Sequence, residues 1–227
     1  MGPQFEDLTA IEFARRIPKY GRSVAYHWWK RMATATISLR TEHSEATRGA
    51  LVKSARKLFG RKGYANVSLD EIVAQARVTK GALYHHFENK RELFRAVSEE
   101  IERELSQTAL DSGVEQQDFL AGLQAFLDAC LARDVQQIVM QDSPSVLGWE
   151  GHRALQAKYG LGAIITGLEA AMSQGTIEKQ PVDPLAHLIL ATLSESACMI
   201  AAAKNPDAAR RKVGRTLTRL IEGLQPG

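Results

Sequence analysis

Residues 68–87 read SLDEIVAQARVTKGALYHHF, and the capping residues of this stretch predict two short helices joined by a tight turn. Ser68, followed three residues later by Glu71, forms a capping box, in which each side chain binds the backbone amide of the other residue. The segment ARVT then makes a turn of about three residues. Thr79 is placed to cap the second helix.

The flanks of this stretch predict two more helices. Before it, Thr47 is a candidate N-cap, and an apolar repeat at helical spacing ends at Gly63. After it, Asn89 and Glu92 repeat the capping-box pattern at the start of a longer helix. Two short helices with a third packed behind them form the helix-turn-helix arrangement. In that arrangement the second helix of the pair enters the major groove of DNA, which makes residues 79–87 the predicted recognition helix.

The rest of the chain predicts further helices and no strand, so we expect an all-α fold. We expect residues 111–117, DSGVEQQ, to form a loop before a helix from Asp118 to Leu131. The dipeptide Ser143-Pro144 should stop the short helix that precedes it, because proline cannot continue a helix. The remaining predicted helices run from Trp149 to Met172, from Pro184 to Ala203 and from about Pro206 to Leu224.

The net charge of +3 hides an uneven distribution along the chain. Residues 44–95 hold eleven Lys and Arg against five Asp and Glu, whereas residues 96–227 hold eleven against seventeen. A basic region joined to an acidic one is expected when only the first meets a polyanion. Charge alone equally allows an uneven but solvated surface.

Composition limits the class of protein. The chain has 227 residues, 44% of them hydrophobic, which suffices for a real core. The two cysteines, Cys130 and Cys198, are far apart and form no Cys-x-x-Cys pair, and no secretory segment is evident. No stretch approaches the roughly 18 consecutive apolar residues of a spanning helix. We therefore expect a soluble protein in a reducing cytoplasm.

The first 43 residues mix aromatic and basic residues without a sustained period, so we interpret them as an N-terminal extension. Met32 begins a stretch typical of a natural start, which indicates that residues 1–31 are an upstream addition or a misplaced start. The alternative is a basic arm that contacts the phosphates or minor groove of DNA.

The stretch from residue 50 to 94, ALVKSARKLFGRKGYANVSLDEIVAQARVTKGALYHHFENKRELF, resembles the DNA-binding domain of the TetR family of bacterial transcriptional repressors. The resemblance is strong from Thr47 to about Glu104. It continues more loosely through DSPSVLGWEGHRALQAKYGLGAI and GTIEKQPVDPLAHLILATLSESACMIA. Arg77 departs from the family, which usually has glycine in the turn. The resemblance implies a DNA-binding domain over 44–104 and an effector-binding and dimerisation domain over 105–227.

The residues of the second short helix suit contact with phosphate. Thr79 offers a hydroxyl at a helix N-terminus, whose free amides and positive dipole end attract phosphate oxygen. Lys80 adds charge, and Gly81 lets the backbone approach DNA closely. The helix is poor in Arg, Asn and Gln, so we expect modest direct readout of bases, supplemented by DNA shape and by paired half-sites.

The family resemblance adds roles for neighbouring positions. It implies that Tyr84 and His85 reach backbone phosphates and base edges, while His86 and Lys90 contact phosphate. Further phosphate partners are expected from the first two helices: Thr47, Arg48 and Ser68.

The adjacent histidines have competing interpretations. A zinc site needs ligands about four residues apart on one helical face, with more ligands nearby. His85 and His86 instead point about 100° apart, so we expect no metal. His86 could also cap or pack against the next helix. Leu83 and Phe87, four residues apart, should face the core.

The resemblance also implies functions for the C-terminal helices. The last two would pair with those of a second copy in a homodimer, although an ordinary intramolecular core is the alternative. Helices from Asp118 to Met172 would enclose a pocket for a small-molecule effector, and no cofactor is expected. Candidates to line this pocket are aromatic residues and a few polar ones: Phe126, Met140, Trp149, His152, Tyr159 and Glu195.

The sequence therefore favours a repressor that a small molecule releases from its DNA operator. A DNA-binding regulator without an effector is the first alternative, and its sign would be a C-terminal domain without a cavity. A helical enzyme with a structural helix-turn-helix is the second. Against it, the sequence has no nucleophile elbow, phosphate-binding glycine loop, His-Glu metal motif or suitably spaced carboxylate pair.

Overall fold

The computed structural model describes residues 44–226, which form nine helices and no strand. The predicted all-α fold is thus confirmed, whereas the predicted extension over 1–43 lies outside the described residues. Residues from Ala50 onward form one compact unit, to which the contacts below belong. The helices are α1 (44–62), α2 (Leu69–Ala76), α3 (Lys80–His86), α4 (Lys90–Gln116), α5 (Phe119–Ala129), α6 (the consecutive segments Arg133–Val135, Gln136–Asp142 and Ser143–Leu147), α7 (Trp149–Gln174), α8 (Val182–Ala202) and α9 (Pro206–Glu222).

The first helix ends where the sequence predicts but begins earlier. Gly63 has φ +75°, and its N–H donates to the Phe59 carbonyl at 2.8 Å, which is the expected glycine stop. Residues 44–46 are already helical. The prediction that Thr47 is the N-cap is therefore wrong, because Thr47 lies within the helix, where a capping side chain has no free amide to bind.

The predicted caps of the next three helices are present. Both halves of the capping box form at Ser68 and Glu71. Thr79 Oγ1 accepts the Ala82 N–H at 3.1 Å. At α4, Asn89 accepts the Glu92 N–H, but the Glu92 carboxylate binds the Glu88 N–H at 2.6 Å, one residue before the position that a strict capping box would use.

The N-terminal helices close around a single apolar core. Leu83 and Phe87 are buried in it, as predicted. Phe94 of α4 lies edge-on to Phe59 of α1, with ring centroids 5.4 Å apart. Each such buried aromatic stabilises the fold by about 1.5–3 kcal/mol relative to an exposed one. This core fixes α2 and α3 against α1 and α4.

The predicted loop over residues 111–117 is wrong, because α4 continues to Gln116. The helix ends at Gln117, which adopts the left-handed conformation with φ 50°, and the Asp118 N–H then donates to the Gly113 carbonyl. A Cβ at Gly113 would lie 3.7 Å from the Cα of Gly122 in α5. Gly113 therefore lies within α4 at its contact with α5 and does not mark a loop. The glycine that this contact requires is Gly122, where a Cβ would lie 2.6 Å from the Ala109 carbonyl oxygen.

The prediction that Pro144 stops a helix is also wrong. Residues Gln136–Asp142 are π-helical, and the Ser143 N–H donates to the Ile138 carbonyl, five residues back. Pro144 follows at the start of the segment Ser143–Leu147, where the missing N–H costs no hydrogen bond. The helical path of α6 therefore continues to Leu147.

The last helices follow the prediction apart from their boundaries. Helix α7 ends at Gly175, which has φ +75°. Helix α8 begins at Val182, so Pro184 occupies the third helical position and not the first. Its missing N–H is tolerated there because the first amides of a helix have no intrahelical partner.

Helix α8 is the most apolar long helix of the described residues. Of these residues, it alone has the length and composition that would suffice to cross a membrane. Its inner face, which includes Leu185, Ile189 and Leu193, is buried in a second apolar cluster with residues of α5, α7 and α9. Its outer face also carries apolar side chains, among them Leu188 and Met199.

Candidate nucleic-acid interface and ligand cavity

The turn between α2 and α3 sets the angle between these two helices. The Val78 N–H donates to the Val73 carbonyl, and the Arg77 N–H donates to the Ala74 carbonyl, which together form a Schellman motif. Arg77 occupies its left-handed position with φ 57° and ψ 40°. This is the conformation that glycine adopts without cost and that other residues adopt at a cost of about 1 kcal/mol.

We expect Arg77→Gly to raise the free energy of unfolding by about 1 kcal/mol, because glycine relieves the strain of the left-handed conformation. Arg77→Ala is the matched control, since it removes the same exposed guanidinium but keeps the Cβ. Thermal unfolding of the three proteins would check this. Equal stabilisation by alanine would mean that the charge, and not the backbone, is responsible.

The N-terminal end of α3 carries three of the predicted DNA contacts. Thr79, Lys80 and Gly81 are all exposed. Lys80 Nζ lies 2.7 Å from Asp70 Oδ1, so an approaching phosphate would compete with a carboxylate at the surface. A Cβ at Gly81 would have Thr79 Oγ1, at 3.9 Å, as its one neighbour within 4 Å. Packing within the described residues therefore does not require glycine at this position.

The remaining predicted contacts on and after α3 extend the same surface. Tyr84 is 51% exposed and His85 is exposed, whereas His86 is half-buried. The rings of His85 and His86 lie edge to face, with centroids 5.1 Å apart. Lys90 Nζ lies 4.2 Å from the centre of the Tyr64 ring, and burial lowers the pKa of this lysine. No group of three metal-ligating side chains occurs within residues 44–226.

The predicted contacts from the first two helices differ in their surroundings. Ser68 accepts the Glu71 N–H, and its own N–H donates to Glu71 Oε2 at 2.9 Å. A hydrogen bond from Lys62 contributes most to lowering the pKa of Glu71, to about 2. Ser68 is thus engaged in capping. Thr47 is half-buried and Arg48 exposed, both within α1.

Helix α6 is tied to the helix-turn-helix region by polar contacts. Arg56 of α1 binds Asp134 through Nε at 2.7 Å and Glu104 of α4 through Nη1. The Tyr64 N–H, in the segment after α1, donates to Asp142 Oδ2 at 2.8 Å. Arg91 of α4 donates to carbonyl groups near the end of α6. Any movement of α6 would therefore disturb its polar contacts with α1, with the segment after α1 and with α4.

A cavity of about 400 Å³ lies among α4, α5, α7 and α8. Most of its lining is apolar and includes the aromatic rings of Phe119 and Phe126. Glu102 of α4, Gln156 of α7 and Ser194 of α8 supply polar groups. Its volume and its few polar groups are typical of small-molecule sites.

The structure places one of the six predicted pocket residues, Phe126, in the wall of this cavity. Met140 is buried in the core shared with the N-terminal helices. His152 is buried, with Nδ1 3.1 Å from Ser143 Oγ. The other three are outside the lining as well: Trp149 and Glu195 are exposed, and Tyr159 is half-buried.

Glu102 is the cavity residue that the sequence interpretation missed. It is 6% exposed, and its Oε1 has no hydrogen-bond partner. Burial raises its pKa to about 7. Glu102 lies four residues after buried Ser98 and eight after buried Phe94, so it falls on the apolar stripe of α4. An acidic residue on an apolar stripe is rarely buried without a functional reason, and this pattern could have identified Glu102 from the sequence.

Known proteins match both halves of the chain. Residues 51–97 match the family described as bacterial regulatory proteins, tetR family, and residues 116–224 match the family described as tetracyclin repressor-like, C-terminal domain. The Transposon Tn10 TetC protein of Escherichia coli is 30% identical over 153 residues, which cover 65% of this chain and 77% of that protein. The probable acrEF/envCD operon repressor of E. coli strain K12 is 39% identical over 75 residues, or 32% of this chain and 34% of that protein.

A solved structure matches almost end to end. It is the crystal structure of a TetR-family transcriptional regulator from Pectobacterium atrosepticum, with a TM-score of 0.73 and 31% identity. The match covers 82% of this chain and 97% of that one. The matches to α1–α4 and to the C-terminal helices thus point to the same family.

Proposed function

Because this chain belongs to the tetR family of bacterial regulatory proteins and is a non-enzymatic, DNA-binding transcriptional regulator, we propose that it is a cytoplasmic repressor that binds its operator as a homodimer. In this proposal a small molecule binds the C-terminal domain and favours the state that binds DNA poorly. The size of the response is then set by the difference in effector affinity between the two states.

The exposed N-terminal end of α3 is the observation that carries the proposed DNA contact. Thr79, Gly81 and Tyr84 are exposed, whereas Leu83 and Phe87 of the same segment are buried in the core. A capped helix N-terminus with an adjacent lysine is a phosphate site by charge and geometry. We assign phosphate contact to the surface formed by Thr79, Lys80, Gly81, Tyr84, His85, His86 and Lys90, with Ser68, Thr47 and Arg48 as further partners from α2 and α1.

The outer faces of α8 and α9 are the proposed dimer interface. Leu188 and Met199 of α8 and Leu220 of α9 are each more than half exposed, an arrangement that a second copy would cover. Exposed charges of opposite sign lie on the two helices, with Glu195 on α8 and a row of arginines on α9: Arg211, Arg215 and Arg219. Two copies that pack α8 against α9 would bring these charges together.

The cavity supports an effector-responsive regulator over one without an effector. We propose that residues 105–227 form the effector and dimer domain and residues 44–104 the DNA-binding domain. The junction at residue 104 lies within α4, a single continuous helix. Because Glu102 of the cavity and Arg91 near the start of α4 share this helix, a shift of α4 caused by an effector would reach the contacts with α6 and the helix-turn-helix.

We expect Tyr84→Ala to lower operator affinity about tenfold while the dimer stays intact, because each DNA contact of this kind contributes roughly 1–3 kcal/mol. Gln107→Ala, at an exposed position of α4 outside the proposed DNA-facing surface, is the control. Fluorescence anisotropy with an operator duplex and size-exclusion chromatography would measure both properties. Dissociation of the Tyr84→Ala dimer would contradict the placement of this residue on the DNA-facing surface.

We expect Gly81→Ala to have opposite effects on stability and on DNA binding. Alanine in a helix is favoured over glycine by about 0.5–1 kcal/mol, and the added methyl would make one ordinary contact, with Thr79 Oγ1 at 3.9 Å. The same methyl would keep the α3 backbone from close contact with DNA, so operator affinity should fall. Gly162→Ala is the matched control, because Gly162 is also exposed and helical, and a Cβ there would have no neighbour within 4 Å. It should raise stability alone, and unchanged operator binding by Gly81→Ala would refute close approach at this point.

A further inference from the structure

We propose, on the basis of the proposed effector-responsive function, that the cavity selects a small and largely apolar organic cation whose protonated amine pairs with the carboxylate of Glu102. Glu102 lines the cavity, one of its carboxylate oxygens has no hydrogen-bond partner, and the lining holds no Lys, Arg or His.

The cavity has a polar inner end and an exposed mouth. Glu102 and Gln156 at the inner end are both buried, and Ser194 Oγ donates to Gln156 Oε1 at 3.1 Å. Asp118 and Gln174, at the ends of the lining segments of α5 and α7, are exposed. A ligand entering past Asp118 would cross an apolar section before its polar end reached Glu102.

The charged groups of the lining are all acidic. Glu102 and Asp118 supply the two carboxylates, and none of the lining residues is Lys, Arg or His. An anionic ligand would therefore face like charge at the mouth and at the inner end, without a compensating cation. Phe119 and Phe126 add aromatic rings to the lining, and such rings attract cations.

The Glu102 carboxylate lacks a hydrogen-bond donor and a positive charge, both of which an ammonium group would supply. Its Oε1 is buried and lacks a hydrogen-bond partner, and an unpaired buried carboxylate is costly. A neutral alcohol could donate one hydrogen bond, but it would leave the negative charge uncompensated. An ammonium group supplies both the hydrogen bond and the opposite charge, and the low dielectric of a buried site strengthens the pair.

The pairing has a consequence for the pH dependence of binding. Burial raises the pKa of Glu102 to about 7, so a large fraction of the protein holds a proton there at neutral pH. The nearby Cys130 thiol has a pKa that burial raises far above neutral, so it stays uncharged. The affinity for an amine should therefore rise between pH 6 and pH 8 as Glu102 loses its proton.

The experiment compares three probes of one shape with the full chain by isothermal titration calorimetry at pH 8: 1-naphthylmethylamine, 1-naphthylmethanol and 1-naphthoate. We expect the amine to bind at least about tenfold more tightly than the alcohol, and the carboxylate to bind most weakly. Glu102→Gln should abolish the preference for the amine over the alcohol, whereas Asp118→Asn, at the mouth, should retain most of it.

The pH dependence in the unmodified protein gives a second readout that needs no variant. Amine affinity should rise about threefold to tenfold from pH 6 to pH 8, while alcohol affinity should not rise. Equal binding of amine and alcohol, a preference that survives Glu102→Gln, or no binding of the amine at millimolar concentration would each overturn the proposal. Operator binding by the protein without any probe tests the proposed function separately, because it does not depend on the occupant of the cavity.

Discussion

Leu188→Glu should convert the proposed homodimer into monomers and lower operator affinity at least about a hundredfold, because a monomer keeps one half-site of the specific complex. Leu188 is 66% exposed on the outer face of α8, so a charge at this position does not disturb the core of the subunit. In the dimer the same charge would be desolvated among apolar side chains, at a cost of several kcal/mol. Analytical ultracentrifugation and anisotropy with an operator duplex would measure the two effects.

Val114→Glu is the matched control for the oligomeric state. Val114 is also 66% exposed, but it lies on α4, away from the proposed interface. The same new charge should leave sedimentation unchanged there. If Leu188→Glu sediments as a dimer, the outer face of α8 is not the interface, and the apolar residues on it would need a different partner.

The second large effect is a change of stability with pH that depends on Glu102. Its folded-state pKa is about 7, against an ordinary value of 4.5, because burial disfavours the charged form. Between these values the folded state holds a proton that the unfolded state has lost, so the free energy of unfolding falls as pH rises from about 4.5 to 7. At about 1.4 kcal/mol per unit of pKa, the loss attributable to Glu102 is about 3 kcal/mol, complete above pH 7.

Glu102→Gln isolates this contribution, because glutamine has a similar shape and no titration. The difference in unfolding free energy between the two proteins should shift by about 3 kcal/mol in favour of the variant from pH 4.5 to pH 8. Urea unfolding at a series of pH values would measure it. A difference that stays constant with pH would show that Glu102 keeps its ordinary pKa in the folded protein.

The helix-turn-helix could be predicted from the sequence because its signals are local. Ser68, Thr79 and Asn89 each cap the helix that follows, and each cap depends on residues within four positions. Gly63 ends α1 for the same kind of reason. The left-handed conformation of Arg77 follows from the tight turn, although residue type alone favours glycine there.

The wrong predictions of helix boundaries fall where contacts between helices, and not local sequence signals, determine the structure. Gly113 belongs to a segment that residue type assigns to a loop, but it lies in α4, where that helix packs against Gly122 of α5. Pro144 remains within α6 because a π-helical segment precedes it. The sequence of that segment, QQIVMQD, carries no local signal that distinguishes a π-helix from an α-helix.

The cavity could be predicted only in outline. Of the six residues chosen from the sequence, only Phe126 lines the cavity, and the others, such as Met140, pack into the core or lie elsewhere. The side chains that give the cavity its polar character come from three helices far apart in the chain: Glu102, Gln156 and Ser194. Their convergence depends on helix packing, which residue type does not reveal.

The salt dependence of binding to a duplex that carries the region upstream of the protein's own gene tests the central claim most directly. A basic DNA-binding domain that contacts phosphates from both subunits of a dimer should bind this duplex tightly at low salt. The logarithm of the binding constant should then fall linearly with the logarithm of the salt concentration, with a steep slope that reflects the release of several counterions from DNA. Absence of binding to the duplex, or an affinity independent of salt, would contradict the assignment of α3 and its flanking residues as the DNA-facing surface.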